Sequence, residues 1–354
     1  MGVVMNRYLA IFIFVNFGII FMVAGFNYEV DSAGLFHVGF EQKAAGLIVA
    51  GENIFVTQNL NERRLQREVI GALTVTPATI VLGSSRVMSL TASDVGSDSF
   101  RNNWMSGASL EDYLAVIGMY EKTIGLPKIL IIGVDPWIFN RDNGQTRWME
   151  LRKDVDRFLK IMEGTTLDEN EDTNNKLQAI FSLQYAQENF KRWCKGESEI
   201  ILADGKSIII DGDVINSDGS RVCSPEIQNI HGAEIERLAR KYCRDPMYSL
   251  GNYDQLDSVA VGRFNTLLKY LEEEERTVII LLPPYHPIVY KKLATDERYK
   301  VVLQVEEMMH QVNGVSVIGS YNPAICGYVN EDFRDGMHPK SLRKLMLKYQ
   351  AIWN

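Results

Sequence analysis

The sequence predicts an α/β protein: a doubly wound, mostly parallel five-stranded sheet with an N-terminal transmembrane helix and a mixed α/β insertion. Three observations lead there. Thr79 to Leu82, Lys128 to Gly133 and Thr277 to Leu282 are short, largely apolar runs without alternation, as strands covered on both faces require. Segments with helical spacing of apolar residues separate them, the order of elements that gives a parallel sheet. Tyr8 to Phe26 is uncharged and broken only by Asn16. At about 1.5 Å per helical residue it comes close to crossing a hydrocarbon core of roughly 30 Å.

The N-terminal run sets the expected address. A signal anchor fits better than a cleaved signal peptide, whose apolar region normally runs about 7–15 residues and ends in small residues. Val23-Ala24-Gly25 is a poor cleavage site. Arg7 precedes the run while Glu29 and Asp31 follow it, so the positive-inside bias places the short N-terminus in the cytoplasm and the rest in the periplasm or outside the cell. The expected organisation is a signal anchor over residues 1–26, a membrane-proximal lead-in over 27–76, and a domain over 77–354 interrupted by an insertion over 141–254. The whole chain of 354 residues carries a net charge of -8 and no basic, aromatic-interleaved patch, which excludes nucleic acid as a partner.

Within the lead-in only Asn61 to Ile70 is helix-friendly. From Pro77 the strand Thr79 to Leu82 ends at Gly83-Ser84-Ser85, followed by a short helix. Phe100 to Met105 is the next strand, and it ends in Ser106-Gly107-Ala108-Ser109. Leu110, Leu114, Ile117 and Tyr120 share one helical face, Ser109 suits the N-cap, and Gly125-Leu126-Pro127 stops the helix. Lys128 to Gly133 then runs into Val134-Asp135-Pro136. After the insertion come a helix over Leu256 to Glu275, the strand Thr277 to Leu282, a helix over Asp296 to Gln311, a strand over Val315 to Ile318 and a closing helix over Ser341 to Trp353.

The insertion opens with a charged helical piece, Trp148 to Met162, and an acidic, Asn-rich loop, Glu163 to Lys176. Ile200 to Ala203 and Ser207 to Ile210 are strand-like around Asp204-Gly205, a hairpin signal. Its position after the strand ending at Asp135 makes it a candidate lid or acceptor-binding wall. Asp211-Gly212-Asp213 and Asp218-Gly219 miss the EF-hand spacing and suit turns. Of the four cysteines, Cys194, Cys223, Cys243 and Cys326, none forms a C-x-x-C pair, so no zinc site is expected; disulfides and free thiols both stay open. No G-x-G-x-x-G or P-loop follows a strand, so no cofactor is expected either.

A serine at a strand end needs a base, usually a histidine oriented by a carboxylate. Of five histidines only His338 stands in such a setting, three residues after Asp335 and just before the closing helix. His286, between prolines at another strand end, either lines the same site or is structural.

Gly83-Ser84-Ser85 early and Asp335-x-x-His338 late resemble the SGNH/GDSL superfamily of serine esterases and acyltransferases. The resemblance covers about 78–135 and 277–354. It implies Ser85 as nucleophile, His338 as base, Asp335 as its orienting acid, and an oxyanion site made by the N–H groups of Ser85 and Gly107. The third block departs from the pattern: where the family has an asparagine donor, this chain has Asp135. An ionised carboxylate cannot donate, and a lost oxyanion donor costs about 2.7–4 kcal/mol. Asp135 is therefore protonated, turned away to pair with Arg86, or differently employed; adjacency to the nucleophile favours Arg86, which could otherwise bind substrate or lie on the surface.

With its anchor the chain is also similar to membrane-bound SGNH-like proteins that modify bacterial surface polymers, as in alginate O-acetylation or teichoic-acid D-alanylation. That similarity implies serine-dependent acyl transfer from an acyl donor, held by a membrane-bound partner protein, to a glycan acceptor, or to water in an esterase. The competing expectation is an inactive SGNH scaffold serving as an assembly or binding subunit. An α/β-hydrolase is disfavoured because no G-x-S-x-G occurs.

Overall fold

Aliphatic side chains pointing to both faces make Ile129–Gly133 and Thr277–Leu282 stable only under cover on both sides, which places them at the middle of a sheet. The computed structural model describes residues 2–30, 39–56, 60–167, 180–194, 200–202, 212–244, 247–248, 250 and 253–349. Its strands in chain order are β1 (Ile54–Val56), β2 (Thr79–Gly83), β3 (Phe100–Trp104), β4 (Ile129–Gly133), β5 (Ile200–Leu202), β6 (Asp213–Ile215), β7 (Arg221–Val222), β8 (Thr277–Leu282) and β9 (Ser316–Gly319). Five of them form an all-parallel sheet in the order β3-β2-β4-β8-β9. The chain thus starts inside the sheet at β2, moves out to β3 and returns to β4. That reversal is a topological switch point, and the crevice beyond the carboxyl ends of β2 and β4 is where open α/β sheets bind ligands.

Helices cover the sheet. Leu110–Thr123 packs against Glu62–Ala72, Arg152–Met162 and Ser258–Glu273. Val81, Ile131, Ile279, Leu281 and Ile318 form one buried cluster with Leu342, Leu345 and Met346. The helix expected over Asp296 to Gln311 is a 3₁₀ turn, Glu297–Tyr299, followed by Lys300–Gln311, with Asp296 capping the turn through the Arg298 N–H. A further helix, Pro287–Thr295, fills the stretch after the β8 loop, where the prolines hid its start. The closing helix spans Arg343–Lys348; its expected extension to Trp353 falls partly outside the described residues.

The lead-in and the insertion are not separate pieces. β1 pairs with β5 and β6 in a second, antiparallel sheet of order β5-β1-β6-β7. A three-residue strand has no stability alone, so it takes partners from far along the chain. The expected turn Asp204-Gly205 and strand Ser207 to Ile210 lie outside the described residues. The Asp218-Gly219 turn covers the open edge of β3: Asn102 N–H donates to Asp218 O at 2.8 Å and Trp104 Nε1 to Gly219 O at 3.0 Å.

Contacts divide the chain into two units, 1–42 with 167–199, and 43–166 with 200–354. In the first, helix Gly2–Val30 packs beside Leu183–Trp193, and Asn27 Nδ2 donates to the Ile180 and Ser182 carbonyls at 2.9 Å each. Its segment Ile11–Val30 is long and apolar enough to cross a membrane.

Candidate active site

β2 stops where it does because of a close approach. A Cβ on Gly83 would sit 2.6 Å from Val87 Cγ2 and 3.5 Å from Gly133 Cα, so only glycine lets the next turn fold back over the neighbouring strand. Val87 N–H closes that turn on Ser84 O at 3.1 Å. Of the two serines, Ser84 is fully buried and its Oγ accepts the Arg86 N–H at 3.1 Å. Ser85 is half-buried, and its Oγ lies 2.9 Å from His338 Nε2.

The histidine is held by a tight loop closed by the Phe333–Pro339 bridge, with Arg334 N–H on His338 O at 3.2 Å. Asp335 Oδ1 accepts the Met337 and His338 N–H groups at 2.8 and 2.9 Å, and Oδ2 lies 2.7 Å from His338 Nδ1. Burial pushes the Asp335 carboxyl up, but the His338 hydrogen bond and charge and the two backbone donors outweigh it and hold the carboxyl at about 2. An ionised Asp335 can only accept, so a proton sits on Nδ1, and Nε2 is the nitrogen that faces the Ser85 hydroxyl.

A carboxyl lowered from 3.8 to about 2 on folding contributes stability that is complete above its unfolded value and is lost as pH falls through its folded one. The melting temperatures of wild type and Asp335→Asn are expected to differ by a constant gap above about pH 5 that closes toward about pH 2. A gap independent of pH would remove the lowered carboxyl.

The loop after β3 presents Gly107 at φ 55, the left-handed region that side chains resist. Its supports come from three directions. Met105 N–H donates to Gly83 O at 3.0 Å, tying the loop to the serine turn. Glu62 accepts Ser106 N–H at 2.5 Å and Ser106 Oγ at 2.8 Å. Asp112 accepts Ser109 N–H at 2.9 Å and is itself clamped by Arg63 at 2.6 and 2.8 Å. Despite this bracing, the N–H groups of Ser85 and Gly107 have no acceptor among the described residues. Two unpaired backbone donors at neighbouring strand ends mark a place where a developing negative charge can be received.

Arg86 and Asp135 are both buried. Their side chains are 0 and 1 % exposed and meet at 2.7 Å through Nη1 and Oδ1, so Arg86 is neither a surface charge nor open to substrate. Arg86 also donates through Nε to Met337 O at 3.1 Å and through Nη2 to Pro283 O, with Cζ 3.8 Å from the Tyr285 ring centroid. Burial pushes the Asp135 carboxyl up from its ordinary value, against the pull of Arg86 and the Ser84 hydroxyl. His286 is fully buried as well. Its Nδ1 accepts the Ile288 N–H at 3.1 Å, capping Pro287–Thr295, and its backbone N–H donates to Gly336 O at 3.2 Å, which props the histidine loop. Burial lowers its pKa.

The supports Glu62 and Arg63 left no periodic trace in the sequence; Ser109-x-x-Asp112 is a capping pattern and was the readable half of that network. Asp218 is a turn residue, its carboxylate accepting from Ala92 N–H and Ser220 Oγ, but Asp213, expected in a turn, opens strand β6 and accepts from Arg221 and Ser224. All four cysteines are free thiols. No protein-family model matches the chain, and a comparison with curated proteins finds no significant match.

Proposed function

We propose that this chain is a membrane-anchored serine acyl-transfer enzyme on an SGNH-type scaffold. The observation that carries the reading is the run of hydrogen bonds from Ser85 through His338 to Asp335, at 2.9 and 2.7 Å, at the switch point of a parallel sheet and beside two unpaired N–H groups. Ser85 Oγ attacks the acyl carbonyl while its proton passes to His338 Nε2. The carbonyl oxygen, now negative, is received by the Ser85 and Gly107 N–H groups. The C–O bond to the donor breaks, His338 returns the proton to the departing oxygen, and an acyl-serine remains. An acceptor hydroxyl then gives its proton to His338 and attacks the acyl-serine; the bond to Ser85 Oγ breaks, His338 returns the proton to Oγ, and the new ester leaves. The acceptor is a hydroxyl of an extracytoplasmic glycan; with water the same steps make an esterase. The apolar helix Ile11–Val30 supplies the anchor, with the short N-terminus cytoplasmic and a membrane-bound protein delivering the acyl group.

A serine-reactive fluorophosphonate is expected to label wild type and not Ser85→Ala, and cells carrying Ser85→Ala to lose one surface-polymer ester. Labelling that persists in Ser85→Ala rules out this nucleophile. Gly107→Ala must place a Cβ against Arg147 Nη2 and Tyr248 Oη at a backbone angle side chains resist, so turnover of an activated ester is expected to fall about 10²-fold. Gly262→Ala, in open space on a helix, is the control and should be neutral.

A further inference from the structure

In the N-terminal helix residues 11–22 are all exposed, whereas Ala24 and Asn27 are buried and Val23, Phe26 and Val30 half-buried. The helix Leu183–Trp193, from the insertion, packs beside it. An asparagine in an apolar helix needs partners for its amide wherever water is absent. Asn27 finds them in and just before that second helix: Nδ2 donates to Ile180 O and Ser182 O at 2.9 Å each, and Oδ1 accepts from Asn189 Nδ2 at 3.0 Å. The tie fixes the level of the second helix along the first. Val23 to Val30 rises about 10 Å, and it is the last part of Ile11–Val30, the segment apolar enough to cross a membrane. The second helix has two unlike faces. Tyr185 and Asn189, one turn apart, are buried. Leu183, Gln187 and Phe190 follow at spacings of four and three on the opposite side and are exposed, Leu183 at 67 % and Phe190 at 54 %, with Phe181 just ahead of them at 51 %.

We infer that the segment 180–194 is a second membrane contact, a helix at the headgroup–acyl boundary of the outer leaflet that sets Phe181, Leu183 and Phe190 into the bilayer. Exposed apolar side chains gathered on one helical face mark an interaction surface, and the level of this one selects lipid as its occupant. It stands beside the last 10 Å or so of the membrane-crossing run, against the roughly 5–10 Å to which interfacial helices bury their apolar face. It is also continuous with residues 11–22, exposed on the neighbouring helix. A single spanning helix can rotate about its own axis in the membrane; a second apolar face tied to its end through Asn27 and Asn189 opposes that rotation. The inference rests on the reading of Ile11–Val30 as an anchor, and its test reports on each separately.

The full chain, with Cys194→Ser and Cys243→Ser to remove the accessible thiols, is reconstituted into phosphatidylcholine vesicles and labelled with an environment-sensitive fluorophore at one new cysteine. The positions are Leu183→Cys, Gln187→Cys on the same face, Phe14→Cys in the N-terminal helix, and Gly262→Cys, exposed on another helix in open space. Nitroxide lipids labelled near the headgroup or near the chain end act as quenchers, and iodide probes access from water. The labels at 183 and 187 are expected to be quenched about twofold or more better by the shallow nitroxide than by the deep one, and the label at 262 by neither. Three results overturn the inference: labels at 183 and 187 open to iodide and untouched by lipid, which puts the face in water; shielding from both, which puts it against a protein; or stronger quenching by the deep nitroxide, which makes the segment part of a span. Phe14→Cys reports on the anchor. Deep quenching at 14 without lipid quenching at 183 sinks the interfacial helix alone, and shallow quenching at 183 with none at 14 sinks the anchor alone.

Discussion

Ser85→Ala and His338→Ala are each expected to lower acyl transfer by about 10⁴- to 10⁶-fold, and the double variant to be no worse than the poorer single one. In the proposed reaction the two atoms, 2.9 Å apart, act in one event. Without Nε2 the hydroxyl keeps its proton and stays a weak nucleophile, and without the hydroxyl the base has nothing to activate. Asp335→Asn should cost less than either. The amide keeps a carbonyl for Nδ1 but gives up the negative charge that stabilises the protonated ring as the acyl-serine forms and breaks. Initial rates with an activated ester, together with the labelled fraction of each variant, provide the check. A double variant whose loss is the product of the two singles would mean that the serine and histidine work independently, against their geometry.

The outline of that pair was legible because strands and tight turns are local. Thr79–Gly83, Ile129–Gly133 and Thr277–Leu282 advertise themselves by unbroken apolar runs; the serine block lies directly against the first, and the Asp-x-x-His block is a short motif just before the closing helix. What did not show was anything held by partners far away in sequence. Glu62 and Arg63 lie in a charged helix that looks solvated by its spacing, yet both are spent bracing the Gly107 loop more than forty residues on. β1 was invisible for the same reason, since its partners β5 and β6 lie across most of the first half of the chain. His286 was open in the sequence between lining the site and a structural part, and its fully buried ring capping a helix makes it structural.

The largest stability effect is expected beneath the site. Arg86→Met should destabilise the fold by about 3–5 kcal/mol, because it leaves Asp135 buried and unpaired. The loss reaches further than the ion pair. Arg86 joins the turn after β2 to the ends of β4 and β8 and to the Met337 carbonyl next to His338, so its removal frees the serine turn and the histidine loop at once. Asp135→Leu should cost a comparable amount by stranding Arg86. Arg86→Met combined with Asp135→Leu should cost less than the sum, since the stranded charge is then gone from both sides. Thermal unfolding of the four proteins in detergent measures this coupling, and strict additivity would mean that the pair contributes nothing as a pair. Asp135→Asn separates structure from chemistry. It keeps an acceptor for Arg86 and lowers the melting temperature modestly, while acyl transfer per folded molecule is expected to hold. A collapse of turnover in a folded Asp135→Asn protein would instead assign the carboxylate a direct part in the reaction. Asp135 would then face the Ser85 hydroxyl during turnover, not the guanidinium it pairs with here.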